Sequence, residues 1–232
     1  MFPHETIPIF GISWWQSNII TILIIYLVLL LGKRSNQFQR IQIAKMIGGV
    51  MISRAILIHF YMVYLDKWSV QSSLPLQMCS ISAILAGVVI FWKNQWLYEF
   101  LFYWGIPGAF HSLLTPEFTV GMEGFLFMEY FIAHGGIILN ALFITLFLGM
   151  KPRKGSWWKI ALWSHIPLGI VGFLNWILDA NYMYLCEKPM VNNPFIIGEW
   201  PWYFLILEGV GLLHFLIIYL PFGIKYRRPE TK

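Results

Sequence analysis

WWQSNIITILIIYLVLLLGKR, Trp14–Arg34, decides the class of this chain. Nothing between its tryptophan pair and its closing Lys33–Arg34 is charged, and about 20 such residues cross a hydrocarbon core as a helix. Indole rings settle at the headgroup level and basic residues collect on the cytoplasmic side, so both ends read as membrane boundaries. Glu5 but no Lys or Arg precedes the run, and no small-residue cleavage site follows it. The run is therefore expected to stay as a helix rather than be removed as a secretory signal.

The rest of the chain repeats this pattern. Of 232 residues 58% are hydrophobic and only 12% charged, with a positive mean hydropathy, more apolar surface than a soluble domain can cover. Further apolar runs lie near 46–64, 75–92, 96–115, 126–149, 157–178 and 200–222. The expected fold is all-α, a polytopic membrane bundle of seven transmembrane helices forming a single domain over residues 1–232. Pro107 and Pro167 fall inside two runs, where each removes a backbone bond and is expected to kink its helix. No internal repeat or long linker interrupts them.

The formal charge of +5 is spread in short clusters between runs, which argues against nucleic acid and for topology signals. Lys33, Arg34, Arg40 and Lys45, then Lys93, then Lys151, Arg153, Lys154 and Lys159, then Lys225, Arg227, Arg228 and Lys232 occupy alternate connections. The other connections hold only Lys67 and Lys188 among acidic residues. Positive residues inside put the N-terminus outside and the C-terminus in the cytoplasm.

Depth then sorts the polar side chains, because a helix rises about 1.5 Å per residue. Gln77 and Cys79 fall near the outer end of the third run, His59 near that of the second and His111 near that of the fourth. His134 lies about 12 Å below the outer end of the fifth. Asn175 and Asp179 close the sixth run, and Glu208 lies about two turns down the seventh. Polar groups in hydrocarbon face the bundle interior or a watered cavity, so a polar pocket opening outward is expected. Arg54 and Glu208, at similar depth, are expected as an ion pair orienting two helices. His165 and His214, in the inner half, read as packing or hydrogen-bonding residues.

Pro75 suits the first turn of a helix, which places Cys79 about one turn in, at the positive end of the backbone dipole. Ser82, Ala83, Ala86 and Gly87 continue its face with small residues, so Cys79 is expected to point inward. A histidine beside it would take the thiol proton and later return it, the arrangement for covalent acyl transfer. His134 heads an HGG triplet whose Gly135 and Gly136 let a neighbouring backbone or lipid chain approach. Spacing alone leaves other readings open. Cysteine packs as a small hydrophobe, a lone histidine is commonly a satisfied polar residue, and His59 and His111 compete as the base. A Cys79–Cys186 disulfide on the oxidising side is a further reading.

LPLQMC (Leu74–Cys79), the HGG at His134, NWILDANYMYLCEKP (Asn175–Pro189) and PWYF (Pro201–Phe204) together resemble the YwaF-like bacterial membrane proteins and the animal transmembrane-protein-164 family. The resemblance runs from about Ser72 to Phe222, and the first two runs match in hydropathy only. It implies a lipid acyltransferase with a cysteine nucleophile at Cys79 and a histidine at His134. Gln77 stands where many members have histidine, and Asp179 where a smaller residue is commoner.

A pocket in the outer half of the bilayer is badly placed for acyl-CoA, a charged cytoplasmic thioester. The expected donor is therefore a membrane phospholipid and the expected acceptor a lysophospholipid, with no cofactor and no metal. The amides of Gln77, Asn175 and Asn181 are candidate oxyanion donors, and Tyr182, Tyr184, Trp200 and Trp202 candidate walls of a headgroup entrance. The expected location is the cell membrane, multi-pass, as in a bacterial cytoplasmic membrane. A transporter or receptor using the same pocket is the rival class, weakened by the odd span count and the lack of half-to-half symmetry. The seventh run has no lysine for a retinal Schiff base, and no HxxxH pair suits a zinc hydrolase.

Overall fold

A computed structural model describes residues 4–191 and 193–227. Arg228 and Lys232 of the basic tail lie outside the described residues, as do Met1–Pro3, Asn192 and the side chains of Tyr226 and Arg227. The main helices are α1 (Ile12–Arg34), α2 (Gln37–Tyr64), α3 (Met78–Val88), α4 (Gln95–Phe100), α5 (Ile106–Leu114), α6 (Phe125–Phe147), α7 (Ser156–Leu178) and α8 (Trp202–Arg227). Five of them, α1, α2, α6, α7 and α8, are long and apolar enough to cross a membrane.

Local chemistry sets the element ends. α2 starts nine residues ahead of the apolar run that announced it, because Asn36 and Gln39 form a capping box, each side chain bonding the other's backbone N–H at 2.9 Å. Arg40 then reaches back to the last turn of α1, donating to the carbonyls of Gly32 at 2.9 Å and Lys33 at 3.3 Å, groups a helix end otherwise leaves open. The third run is shorter than expected. α3 begins at Met78, not at Pro75, because Tyr182 Oη ties the lead-in down, accepting from Leu74 N at 2.9 Å and donating to Val70 O at 2.8 Å. Cys79 is thus in the first turn of α3.

Between α4 and α5 the helix continues through a π stretch, Leu101–Gly105, whose side chains are buried. Pro107, without an N–H to give, follows directly, and the ladder rewinds ahead of it. α7 runs through Pro167 as one helix.

α6 is the central helix and the most buried of the long ones. Its glycines admit side chains of the neighbouring helices, where a backbone or a lipid chain had been expected. A Cβ at Gly135 would lie 2.6 Å from Thr21 Cγ2 of α1, and one at Gly136 would collide with Met51 Sδ of α2. The small face of α3, Ser82, Ala83, Ala86 and Gly87, is buried, and buried Asn140 of α6 donates to the Ala86 carbonyl. Outward, α1 and α7 expose Ile20, Leu23, Leu27, Phe173, Trp176 and Ile177, a surface that lipid rather than water suits.

The connections sort to two ends. At one, Arg40 lies over the Phe147 ring at 5.3 Å, Gln95 Nε2 donates to Lys151 O at 2.8 Å, and Gly155 N donates to Tyr219 Oη at 3.0 Å. There Arg153 grips buried Glu99 through Nη2–Oε2 at 2.6 Å and its own backbone N–H at 2.8 Å. Glu99 is a charge inside the fourth apolar run, and this pairing accounts for it. At the other end a short strap, β1 (Glu5–Thr6), pairs antiparallel with β2 (Glu117–Phe118), and Lys67 pairs with Glu123 at 3.1 Å.

Candidate functional site

A cavity of about 920 Å³ opens within the bundle, walled by α2, α3, α5, α6, α7, α8 and the two connections on the strap side. Cys79, Gln77, Arg54, His111, His134 and Glu208 all line it. Most of the remaining wall is apolar, including Phe118, Phe195, Phe204 and Phe215, and its edge includes the exposed Leu162 and Leu212 of α7 and α8.

Cys79 reaches the cavity from the first turn of α3. Its Sγ is 3.5 Å from Ser112 Oγ on α5, and the bare Cα of Gly108, one turn earlier, leaves room beside the sulfur. Ser112 is also an anchor for Tyr130, which donates to its carbonyl at 2.9 Å. The Tyr130 ring lies 4.2 Å from that of His134. Cys79 and His134 therefore share a wall without a hydrogen bond between them; Ser112 and Tyr130 stand between. His134 Nδ1 lies 2.7 Å from the Tyr130 carbonyl. A carbonyl only accepts, so Nδ1 carries the proton and Nε2 is the basic nitrogen of the neutral ring.

His111 is arranged differently. Its Nε2 is 3.1 Å from His214 Nε2, while His214 Nδ1 donates to the Val210 carbonyl at 2.7 Å. In the neutral pair His214 Nε2 accepts, His111 Nε2 donates, and His111 Nδ1 keeps its lone pair. His214 is thus a hydrogen-bonding residue, as expected, and it also lines the cavity, paired to a candidate base.

Other expectations are corrected. Arg54 pairs with Glu129 of α6, not with Glu208, whose Oε1 is 3.3 Å from His165 Nε2. His59 accepts from the Trp68 indole at 3.1 Å and is not on the cavity. Asn175 and Asn181 do not face it either. Buried Asn175 clasps Tyr182, donating to its carbonyl at 2.9 Å and accepting from its N–H at 2.8 Å. Asn181 Oδ1 accepts from the N–H groups of Cys186 and Glu187 at 3.0 and 3.1 Å. These amides shape the loop and lie off the cavity. Tyr182 is buried beneath the same loop, burial raising its hydroxyl pKa, and Trp202 is exposed and off the cavity. Both cysteines are free.

Gln77 remains as an amide at the cavity. Its Oε1 accepts from Met183 N at 2.8 Å, which leaves Nε2 as the donor end. Met183 belongs to a 3₁₀ turn, Tyr182–Tyr184, whose Tyr184 lines the cavity. Burial first and the Glu117 carboxylate second hold the Tyr184 phenol protonated far above its ordinary range. Glu117 itself is bonded to His4 Nδ1 at 2.6 Å.

Ser112, Tyr130, Glu129 and Glu117 were not among the sequence candidates. Glu129 had a signal: a carboxylate inside an apolar run demands a partner. Ser112 had only its place beside His111. Among the described residues no group of three His, Cys, Asp or Glu side chains is arranged to hold a metal ion.

No curated protein and no solved structure matches the chain. The model of the TMEM164 family matches residues 4–219, taking in α1 and α2 as well as the segments from Leu74 onward that carry the sequence motifs. The chain is a multi-pass membrane protein and belongs to the TMEM164 family.

Proposed function

We propose that this protein is a membrane lipid acyltransferase in which Cys79 carries the acyl group as a thioester. One observation carries the reading: a free thiol in the first turn of a helix shares a largely apolar cavity of about 920 Å³ with four histidines, His134 and His111 among them. That volume lies at the upper end of the range of ligand pockets and has room for part of a lipid.

The cycle balances as follows. His134 Nε2 takes the Cys79 proton, and the thiolate attacks a phospholipid ester carbonyl. The tetrahedral oxyanion collapses, the C–O bond to glycerol breaks, and the imidazolium returns its proton to the departing alkoxide. A lysophospholipid hydroxyl then gives its proton to His134 and attacks the thioester; the C–S bond breaks, and the released Cys79 thiolate takes the proton back from the imidazolium. Gln77 Nε2 and the open N–H groups in the first turn of α3 are the oxyanion donors in this scheme. Closure around the lipid brings Nε2 to the sulfur, since catalytic hydrogen bonds are often long before substrate enters.

The proposed topology has seven crossings with the N-terminus outside. α3 rises only about 16 Å at 1.5 Å per residue, so the third crossing includes its non-helical flanks, of which Ser73, Val89 and Ile90 are buried against protein. The composite α4–α5 helix makes the fourth. Support comes from the sorting of Arg40, Lys151 and Arg153 to one end and of the strap to the other. The donor is then a lipid of the leaflet on the Cys79 side.

The test is acyl transfer between a labelled phospholipid and a lysophospholipid by purified protein. Cys79→Ala should abolish transfer with thermal stability preserved; activity equal to the parent protein removes Cys79 as nucleophile.

A further inference from the structure

Arg54 is a cation inside a membrane helix with one side of its guanidinium in use. Nη1 donates to Glu129 Oε1, Nε is buried without any partner, and Nη2 makes no hydrogen bond among the described residues. Nε and Nη2 form a single edge of the guanidinium plane, the fork that takes two oxygens of a phosphate or carboxylate side by side. A pair serving only to join α2 and α6 would gain from turning that fork onto the carboxylate. Here Glu129 is met by the lone Nη1, and both side chains line the cavity that holds Cys79 and His134. Among the described residues Arg54 makes no ion pair other than that with Glu129, and His59, on the same helix, is engaged with Trp68.

We propose that the Nε–Nη2 fork of Arg54 receives the phosphodiester oxyanion of the lipid in this cavity, with Glu129 as the positioning residue that holds the guanidinium at the wall. Placing that lipid's ester at Cys79 rests on the acyltransferase reading; binding of the headgroup does not. The fork supplies two parallel N–H donors where a lysine would supply a point charge. The pair is neutral before the ligand arrives, which lets the cation reside at this depth.

The experiment measures equilibrium binding to detergent-solubilised full chain carrying Cys79→Ala, so that no turnover intervenes. The probes are phosphatidylethanolamine, diacylglycerol with the same acyl chains, and inorganic phosphate. Phosphatidylethanolamine should bind about tenfold more tightly than the diacylglycerol, the equivalent of one good charge-assisted contact. Arg54→Lys should erase that difference by weakening the phospholipid alone. Displacement of the phospholipid by millimolar inorganic phosphate would keep the oxyanion site and assign it to free phosphate; no displacement assigns it to the lipid headgroup. Equal affinity for the two lipids in the Arg54 protein, which needs no variant at that position, overturns the proposal, as does an Arg54→Lys protein that retains the preference. Headgroup preference without a thioester at Cys79 in the parent chain would sink the transferase reading alone. A thioester without the preference would sink the Arg54 site alone.

Discussion

Cys79 and His134 face one cavity but are held by different partners, and that difference sets what each contributes. The thiol leans on Ser112 at 3.5 Å, whereas His134 is fixed by the Tyr130 carbonyl with Nε2 left basic. His111 has its Nε2 committed to His214. His134→Asn, which keeps a donor near Nδ1 but removes the base, should slow thioester formation by about 10²- to 10⁴-fold. His111→Asn should have a much smaller effect on that step. Single-turnover rates of acyl uptake by the two variants decide between them, and the reverse order would transfer the base to His111. Residue counting along the apolar runs leads to the expectation of Cys79, His111 and His134 in one pocket, and all three line the cavity. Partner choice was not legible: Arg54 and Glu208 match in depth, but depth does not say which helix stands beside which, and Glu129 on adjacent α6 takes the arginine.

Elements here are bounded by side chains reaching across from other segments, which is why their ends escaped sequence reading while their existence did not. The apolar run at 75–92 announced a helix, and Pro75 looked like its first turn. Tyr182, more than a hundred residues away, holds Val70 and Leu74 through one hydroxyl and delays the helix to Met78. Tyr182→Phe removes both bonds and leaves the Leu74 N–H and the Val70 carbonyl without this partner. A loss of about 1–3 kcal/mol is expected, seen as a lower melting temperature in detergent, together with a loss of acyl transfer larger than the change in folded fraction. Unchanged stability would mean that the hydroxyl does not set the start of α3. Asn175 and Asn181 are candidate oxyanion amides by sequence, yet both bond the backbone of the loop that follows α7. Asn and Tyr are as apt for building a turn as for chemistry, and composition does not separate the two uses.

For the whole molecule, hydropathy and basic clusters were sufficient to expect an all-α bundle, because burying a backbone in lipid leaves few alternatives to the helix. They did not reveal that α3 is short, that the fourth run carries a π stretch, or that a strap pairs Glu5–Thr6 with Glu117–Phe118, since these depend on tertiary contacts. The proposed orientation can be checked on a native residue. Cys186 is an exposed thiol in a connection assigned to the outer side, so a membrane-impermeant maleimide should label it in intact cells expressing Cys79→Ala protein. Labelling only after permeabilisation would invert the topology. Purified protein incubated with a labelled phospholipid, then digested and weighed by mass spectrometry, should show the Cys79 peptide heavier by one acyl chain, with the increment removed by neutral hydroxylamine. A Cys79 peptide that stays at thiol mass while lysophospholipid accumulates would contradict covalent catalysis at this residue.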